Sequence, residues 1–259
     1  MTAPVSRRIN AERISLLAWS RAILLQLAHP LVAAGVAEHS SFREGRLTAV
    51  RRLHHTVGAM LSLTFGSDED RGATLDRING IHRRVNGTLR ESAGPFAAGT
   101  RYSAEDPALL LWVHATLLDS IPLVYEQLIV PLTNTDRDQY CLEAEPVVQA
   151  LGARDGAPRS WADLSSYMNR MYSSGEIVVS ADARELAAVV LAPPFARLMA
   201  PATRVNWLFT VGLLPPGIRE QYGFAWTPAD ERSLERWTAI IGGIRRRLPD
   251  AIALWPDSR

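Results

Sequence analysis

The stretch LDRINGIHRRVNGTL, residues 75–89, decides how the rest of the chain is read. Leu75, Ile78, His82, Val85 and Leu89 recur at steps of three and four, which predicts one face of a helix. Asp76, Arg77, Arg83, Arg84 and Asn86 fall on the opposite side, as a solvated face requires. His82 therefore sits at the centre of an apolar stripe. From periodicity alone, a lone histidine in that position is more often a hydrogen-bonded core residue. A neutral imidazole in an apolar wall is also able to ligate a metal or a heme iron.

Two further segments repeat the pattern. Pro107, Leu110, His114, Leu117 and Ile121 share its spacing, again with histidine at the centre. In RRLHHTVGAM, residues 51–60, Arg52, His55, Thr56 and Ala59 stack on one helix face. Three helices aiming polar groups or imidazoles into apolar surroundings point to a buried cofactor pocket.

Composition narrows the chemistry. A chain of 259 residues with 47% hydrophobic residues can bury a substantial core. Its net charge of +1 gives no electrostatic case for nucleic acid as a partner. The single cysteine, Cys141, excludes an intrachain disulfide and a CxxCH attachment site, so any heme would be held noncovalently. The chain contains no lysine, which removes a Walker-type phosphate loop, a Schiff base and an amine ligand. The best apolar run, Ala22 to Ala37, contains Gln26, His29 and Pro30 and is too short to cross a bilayer. Arg7-Arg8 is followed too soon by Glu12 and Arg13 to open a twin-arginine signal. A soluble cytoplasmic protein is expected.

Along the chain, Asn10 is expected to cap a helix that Pro30 disturbs, leaving His29 as a packing residue at the break. His39 reads as loop or capping chemistry. Residues 43–65 predict a long helix stopped by Gly66, with Val50, Leu53, Val57 and Leu61 buried. Ser67 with Asp70 opens the helix of His82, and Ser103 with Asp106 opens that of His114, which Pro122 is expected to kink. Residues 94–101 read as a loop. Thr135 starts a helix stopped by Gly152, Ser160 with Asp163 starts another, and Thr227-Pro228 opens a last long helix to about residue 248. No strand-like alternation persists, and Ile177 to Val179 reads as a connection or a minor strand. The expected architecture is all-α and a single domain over residues 1–259. A pocket-bearing part spans about 10–152 and a C-terminal helical part about 160–259.

Zinc hydrolysis lacks HExxH and paired cysteines, and a nucleophile elbow lacks GxSxG. His54 and His55 are sequence neighbours that diverge on a helix, so they cannot chelate one ion. Cys141, in DQYCLEAE, reads as a small buried residue rather than a thiolate ligand. What remains is iron in a helical, imidazole-lined pocket. Arg52 and Thr56 could stabilise charge on bound oxygen, hold a propionate, or, for Arg52, form a surface ion pair.

The series LLQLAHPLVAAGVAEHSSF (24–42), RLHHT (52–56), INGIHRRVNG (78–87), RYSAEDPALLLWVHATLLDS (101–120), QYCLEAEPVVQALG (139–152) and GLLPPGIREQYGFAW (212–226) resembles the MpaB-type oxygenases, which include the latex-clearing proteins or rubber oxygenases. The resemblance runs from about residue 10 to 227, and the YSAEDP…WVHATL block is its most specific part. It implies a globin-like helical core around a noncovalent heme b, and a dioxygen-dependent cleavage of isoprenoid double bonds to carbonyls. Carried over by position, His82 matches the proximal iron ligand, Arg52 and Thr56 match polar residues of the distal pocket, and His114 matches a further histidine supporting the site. His55 stands where the rubber oxygenases have a lysine that can cap the iron. Glu38 lies roughly where they place an acidic base, but it also reads simply as a helix-end carboxylate.

The expected function is a heme-b-dependent oxygenase acting with dioxygen on an apolar small molecule, isoprenoids being one class. Its expected site residues are His82 as the iron ligand, His114 and Arg52 at the cofactor, and Arg52, His55 and Thr56 at the reacting oxygen. The lysine's replacement and the chain's shortness against the secreted rubber oxygenases argue against polyisoprene itself. The alternatives are a noncatalytic heme- or gas-binding protein with a capped iron and a helical interaction protein with core histidines. Homo-oligomerisation is left open.

Overall fold

Five of the helices begin where a side chain closes the first turn. The computed structural model describes residues 4–39, 46–153, 155–191 and 200–258, and the side chains of 46–54 lie outside the described set. Among the described residues there are thirteen α-helices and one two-stranded ladder, so the chain is all-α. The first four helices are α1 (Val5–Asn10), α2 (Leu17–Leu27), α3 (Pro30–His39) and α4 (Arg46–Phe65). Next come α5 (Asp68–His82), the strands β1 (Asn86–Thr88) and β2 (Arg101–Ser103), and α6 (Pro107–Leu128). The remainder is α7 (Asn134–Leu151), α8 (Trp161–Ser173), α9 (Ala181–Leu191), α10 (Ala200–Gly212), α11 (Pro216–Tyr222), α12 (Pro228–Arg245) and α13 (Asp250–Ala253).

Reciprocal capping boxes open α5 (Ser67 with Asp70), α7 (Thr133 with Asp136) and α12 (Thr227 with Asp230), while Ser160 caps α8. Each gives an orphan backbone N–H a side-chain acceptor at the helix start, and losing such a cap costs about 1 kcal/mol. Pro30 separates α2 from α3, and Gly152 ends α7 in the left-handed region at φ 119°.

Several expectations need correcting. Asn10 ends α1 instead of capping a helix; its amide donates to Thr64 Oγ1 at 3.4 Å and accepts from the Tyr140 hydroxyl at 3.3 Å. The helix of residues 75–89 stops at His82, because the chain turns at Arg83-Arg84 and enters β1. β1 pairs antiparallel with β2, with Gly87 opposite Tyr102, within a region read as strandless. Asp106, not Ser103, caps α6, accepting from the Ala108 N–H at 2.9 Å, and α7 is capped at Thr133, not Thr135. Residues 177–179 form a connection whose Ile177 and Val179 are buried. The longest apolar helix is α6, not the Ala22–Ala37 run. By length and composition alone it could cross a membrane, but most of it is buried in the protein's own core.

α6 is the axis of the molecule. It packs most extensively on α2 and also meets α7, α8 and α12. Trp112, Ala115, Leu118, Val124 and Leu128 bury its inward face in a cluster that runs from Ile9 in α1 to Leu234 in α12. Its Pro122 is accommodated inside the helix, among buried neighbours. The chain ends are tied together: Arg245 holds Glu12 through two bonds of 2.6 Å, and the Trp255 N–H donates to Ala11 at 2.9 Å.

Candidate functional site

The ladder β1–β2 links the two histidine helices. It leaves the end of α5 and delivers the chain to the start of α6, and the Ala104 N–H donates to the Val85 carbonyl at 2.8 Å. The Glu105 carboxylate thereby comes near enough for its charge to act on His82. From Pro107, seven residues of helix carry the chain about 10 Å to His114. Both helices also lean on one corner at the end of α7. Asn79 of α5 donates to the Ala150 carbonyl at 3.2 Å, and Leu110 of α6 packs on Val148 and Ala153.

The imidazoles of these two helices share one unusual feature. His82 Nδ1 and His114 Nε2 are sealed from solvent and have no hydrogen-bond partner. Leaving such a group unsatisfied costs about 1–3 kcal/mol, so the arrangement calls for an acceptor, a donor or a metal. Burial lowers the pKa of His82, although the Glu105 carboxylate pulls the other way. Burial takes that of His114 down to about 4. Both rings are therefore neutral near pH 7, the form in which imidazole ligates.

The other described histidines are committed or exposed. His29 is buried, its Nδ1 accepts from the Leu31 N–H at 3.3 Å, and burial takes its pKa to about 4. Its Nε2 lies 3.9 Å from Glu176, and its ring meets that of Phe96, as expected for a packing residue. His39 Nε2 donates to the Asn86 carbonyl at 3.0 Å, pinning the end of α3 to β1. His55 and Thr56 are exposed on α4, which packs beside α5. The structure does not place them in the sealed interior that holds the His114 nitrogen. The side chains of Arg52 and His54 lie outside the described residues. Cys141 is buried and its thiol is pushed up to about 12 by burial, which leaves no thiolate to bind iron. Among the described residues no three histidine, cysteine or acidic groups converge to hold a bare ion. A porphyrin needs only one or two protein donors, and the two orphaned imidazoles fit that requirement.

Two polar clusters escaped the sequence reading. In the first, Glu38 at the end of α3 accepts from the buried Tyr102 hydroxyl and from Arg90 Nε at 2.8 Å. The Tyr102 bond, followed by Arg90 and His39, holds the Glu38 carboxyl below its ordinary range against a counteracting desolvation. Gly87 is required there, because a Cβ would lie 2.5 Å from the Tyr102 hydroxyl and 2.9 Å from Glu38. Glu38 reads as a helix-end carboxylate with a loose match to an acidic base of the rubber oxygenases; nothing local marks Tyr102 as its partner. In the second, the buried Arg21 donates to the Leu213 carbonyl at 2.7 Å and to Ser120 Oγ at 2.6 Å, and pairs with Asp119 at 2.7 Å. An arginine inside the apolar run AWSRAILL was its one visible signal.

The histidine pKa values carry a prediction for the cofactor-free protein. In the unfolded chain His29 and His114 titrate near 6.5, whereas folded they titrate near 4. Between those values the unfolded state binds more protons, so stability is intact above about pH 6.5 and falls as the pH drops toward 4. Each ring accounts for up to about 3 kcal/mol of that loss. Urea melts at pH 7 and pH 4.5 check this: His114→Phe should lose less stability on acidification than the parent, and an equal loss would show that His114 is not buried neutral.

A family model described as the catalytic domain of the ER-bound oxygenase mpaB/B′ and rubber oxygenase matches residues 6–243. Uncharacterized proteins of Mycobacterium bovis and Mycobacterium tuberculosis are each 27% identical over 232 residues, covering 88% of this chain and 87% of their own. No solved structure matches the chain.

Proposed function

The chain belongs to the family of mpaB/B′ and rubber oxygenase catalytic domains, a family of oxygenases, and within it we propose a heme-b-dependent oxygenase of apolar alkenes. One observation carries the heme assignment. Of the described histidines, His82 and His114 alone keep a sealed ring nitrogen without a partner, and both rings are held neutral by burial. His82 is the proposed iron ligand. It lies at the end of a capped helix, just before the ladder. His114 supports the cofactor from α6.

Heme iron, when bound, supplies the binding and activation of dioxygen. The chain's own tasks are to orient the substrate, exclude water and stabilise developing negative charge. Arg52 and Thr56, four residues apart on α4, are the proposed donors for that charge, with His55 beside them. The overall change adds both atoms of one dioxygen across a carbon–carbon double bond and leaves two carbonyls, which balances without a further reductant.

The test is oxygen uptake by hemin-reconstituted protein with a polyunsaturated isoprenoid such as squalene, with carbonyl products followed by mass spectrometry. Arg52→Ala should retain heme and lose about a hundredfold in turnover, the scale of one lost charge-stabilising donor, about 3 kcal/mol. Unchanged turnover would move Arg52 to a surface or propionate role. No uptake by the heme-loaded parent with any isoprenoid would reject alkene oxygenation.

A further inference from the structure

We propose that α12 is a membrane-docking face that seats this protein on an anionic lipid surface, and this inference stands apart from the heme assignment. Ile240 and Ile244 are 40% and 53% exposed, one turn apart on the outer side of α12. The Leu248 N–H donates to the Ile244 carbonyl at 3.0 Å, so helical bonding carries the same row on to Leu248, itself 36% exposed. Ile252, 57% exposed, follows four residues later on α13. The helix cannot rotate this row inward. Its opposite face buries Leu234 and Gly242, and a Cβ on Gly242 would stand 3.0 Å from the Leu128 carbonyl of α6.

Charge selects the occupant. Arg236 and Arg247 flank the isoleucines at helical spacing, and Arg232 and Arg246 border them. All four are exposed, and among the described residues none has a carboxylate partner. Of the acids on α12 and α13, Asp230 and Asp250 pair with Arg204 and Arg245, Glu231 accepts from Trp226 Nε1 at 2.7 Å, and Glu235 is exposed a turn or more before the isoleucine row. A chain whose net charge is only +1 thus concentrates unpaired arginines around its exposed aliphatic row. A second copy is disfavoured, because a two-fold pairing would set these arginines against themselves. An anionic bilayer satisfies both features. The aliphatic row enters the acyl boundary, and the guanidinium groups stay at the headgroup phosphates.

Co-flotation of the full chain with vesicles tests this. The protein should float with equal parts phosphatidylglycerol and phosphatidylcholine, float weakly with phosphatidylcholine alone, and be released from the former by salt. The double variant Arg236→Gln/Arg247→Gln should bind about 25-fold more weakly, about fivefold per arginine. Ile244→Ser should weaken binding to the anionic vesicles with an unchanged melting temperature, since the position is exposed, and Ile240→Ser is the second variant should it misfold. The proposal is overturned if the parent does not float with anionic vesicles, or if neither the arginine nor the isoleucine variants lose binding. It is equally overturned if the parent is a dimer that Ile244→Ser dissolves, which would show a second copy on this face.

Discussion

Replacing His82 with alanine should strip the protein of heme while leaving its helices in place. The helical part of this expectation follows from where the residue sits. It is the last residue of α5, whose start is secured independently by the Ser67–Asp70 box. The heme part follows from elimination. The chain has no lysine amine, and the Cys141 thiol is buried and held protonated. His29 and His39 each commit one ring nitrogen to a backbone group, and His55 stands on the surface. Among the histidines whose side chains are described, His82 and His114 remain, each with an orphaned nitrogen. His82→Ala should leave less than a tenth of the parent's heme after desalting, because loss of the one axial donor removes the main directional bond to iron. His114→Ala should keep most of it with a shifted absorption band, since supporting groups typically change metal affinity about tenfold to a hundredfold. Full heme retention and an unchanged spectrum in His82→Ala would reverse the two roles or remove both.

The second large effect is on stability. Arg21 of α2 is 4% exposed, and its guanidinium joins α2 to α6 through Asp119 and Ser120 and to the end of α10 through Leu213. Arg21→Leu removes the charge but leaves the Asp119 carboxylate, one-quarter exposed, without its partner. Losing one member of a buried ion pair costs about 3–5 kcal/mol, and the partial exposure of Asp119 places this case near the lower end. Urea denaturation should show that loss, and adding Asp119→Asn should restore part of it, because the stranded charge is then gone. A loss below about 1 kcal/mol would mean that water takes over every bond the guanidinium makes.

The parts of this fold that were legible in the sequence are those set within a few residues. Ser67–Asp70 and Ser160–Asp163 announce helix starts because the capping oxygen and the N–H it accepts from lie three residues apart, and Thr227-Pro228 does so because a cap residue is followed by proline in the first turn. Pro30 and Gly152 announce breaks because they act on their own backbone. The ladder β1–β2 was not legible: each strand is three residues long, and its pairing joins segments fifteen residues apart. That ladder cut short the apolar stripe of residues 75–89, yet it also placed His82 beside the start of α6. The centring of His82 and His114 on apolar faces was visible in periodicity, but not that each would keep an unpartnered nitrogen. Glu38 with Tyr102, and Arg21 with Asp119, pair across 64 and 98 residues of chain, beyond any local rule.

The claim on which this reading turns is that the orphaned imidazoles of α5 and α6 hold heme. Its most direct test is the absorption spectrum of freshly purified protein, followed by titration with hemin and a pyridine hemochrome assay. The expected result is a Soret band and one heme b per chain, taken up on titration where expression left it substoichiometric and lost in His82→Ala. A colourless protein whose added hemin washes off as readily as from His82→Ala would contradict it and leave both histidines as core residues.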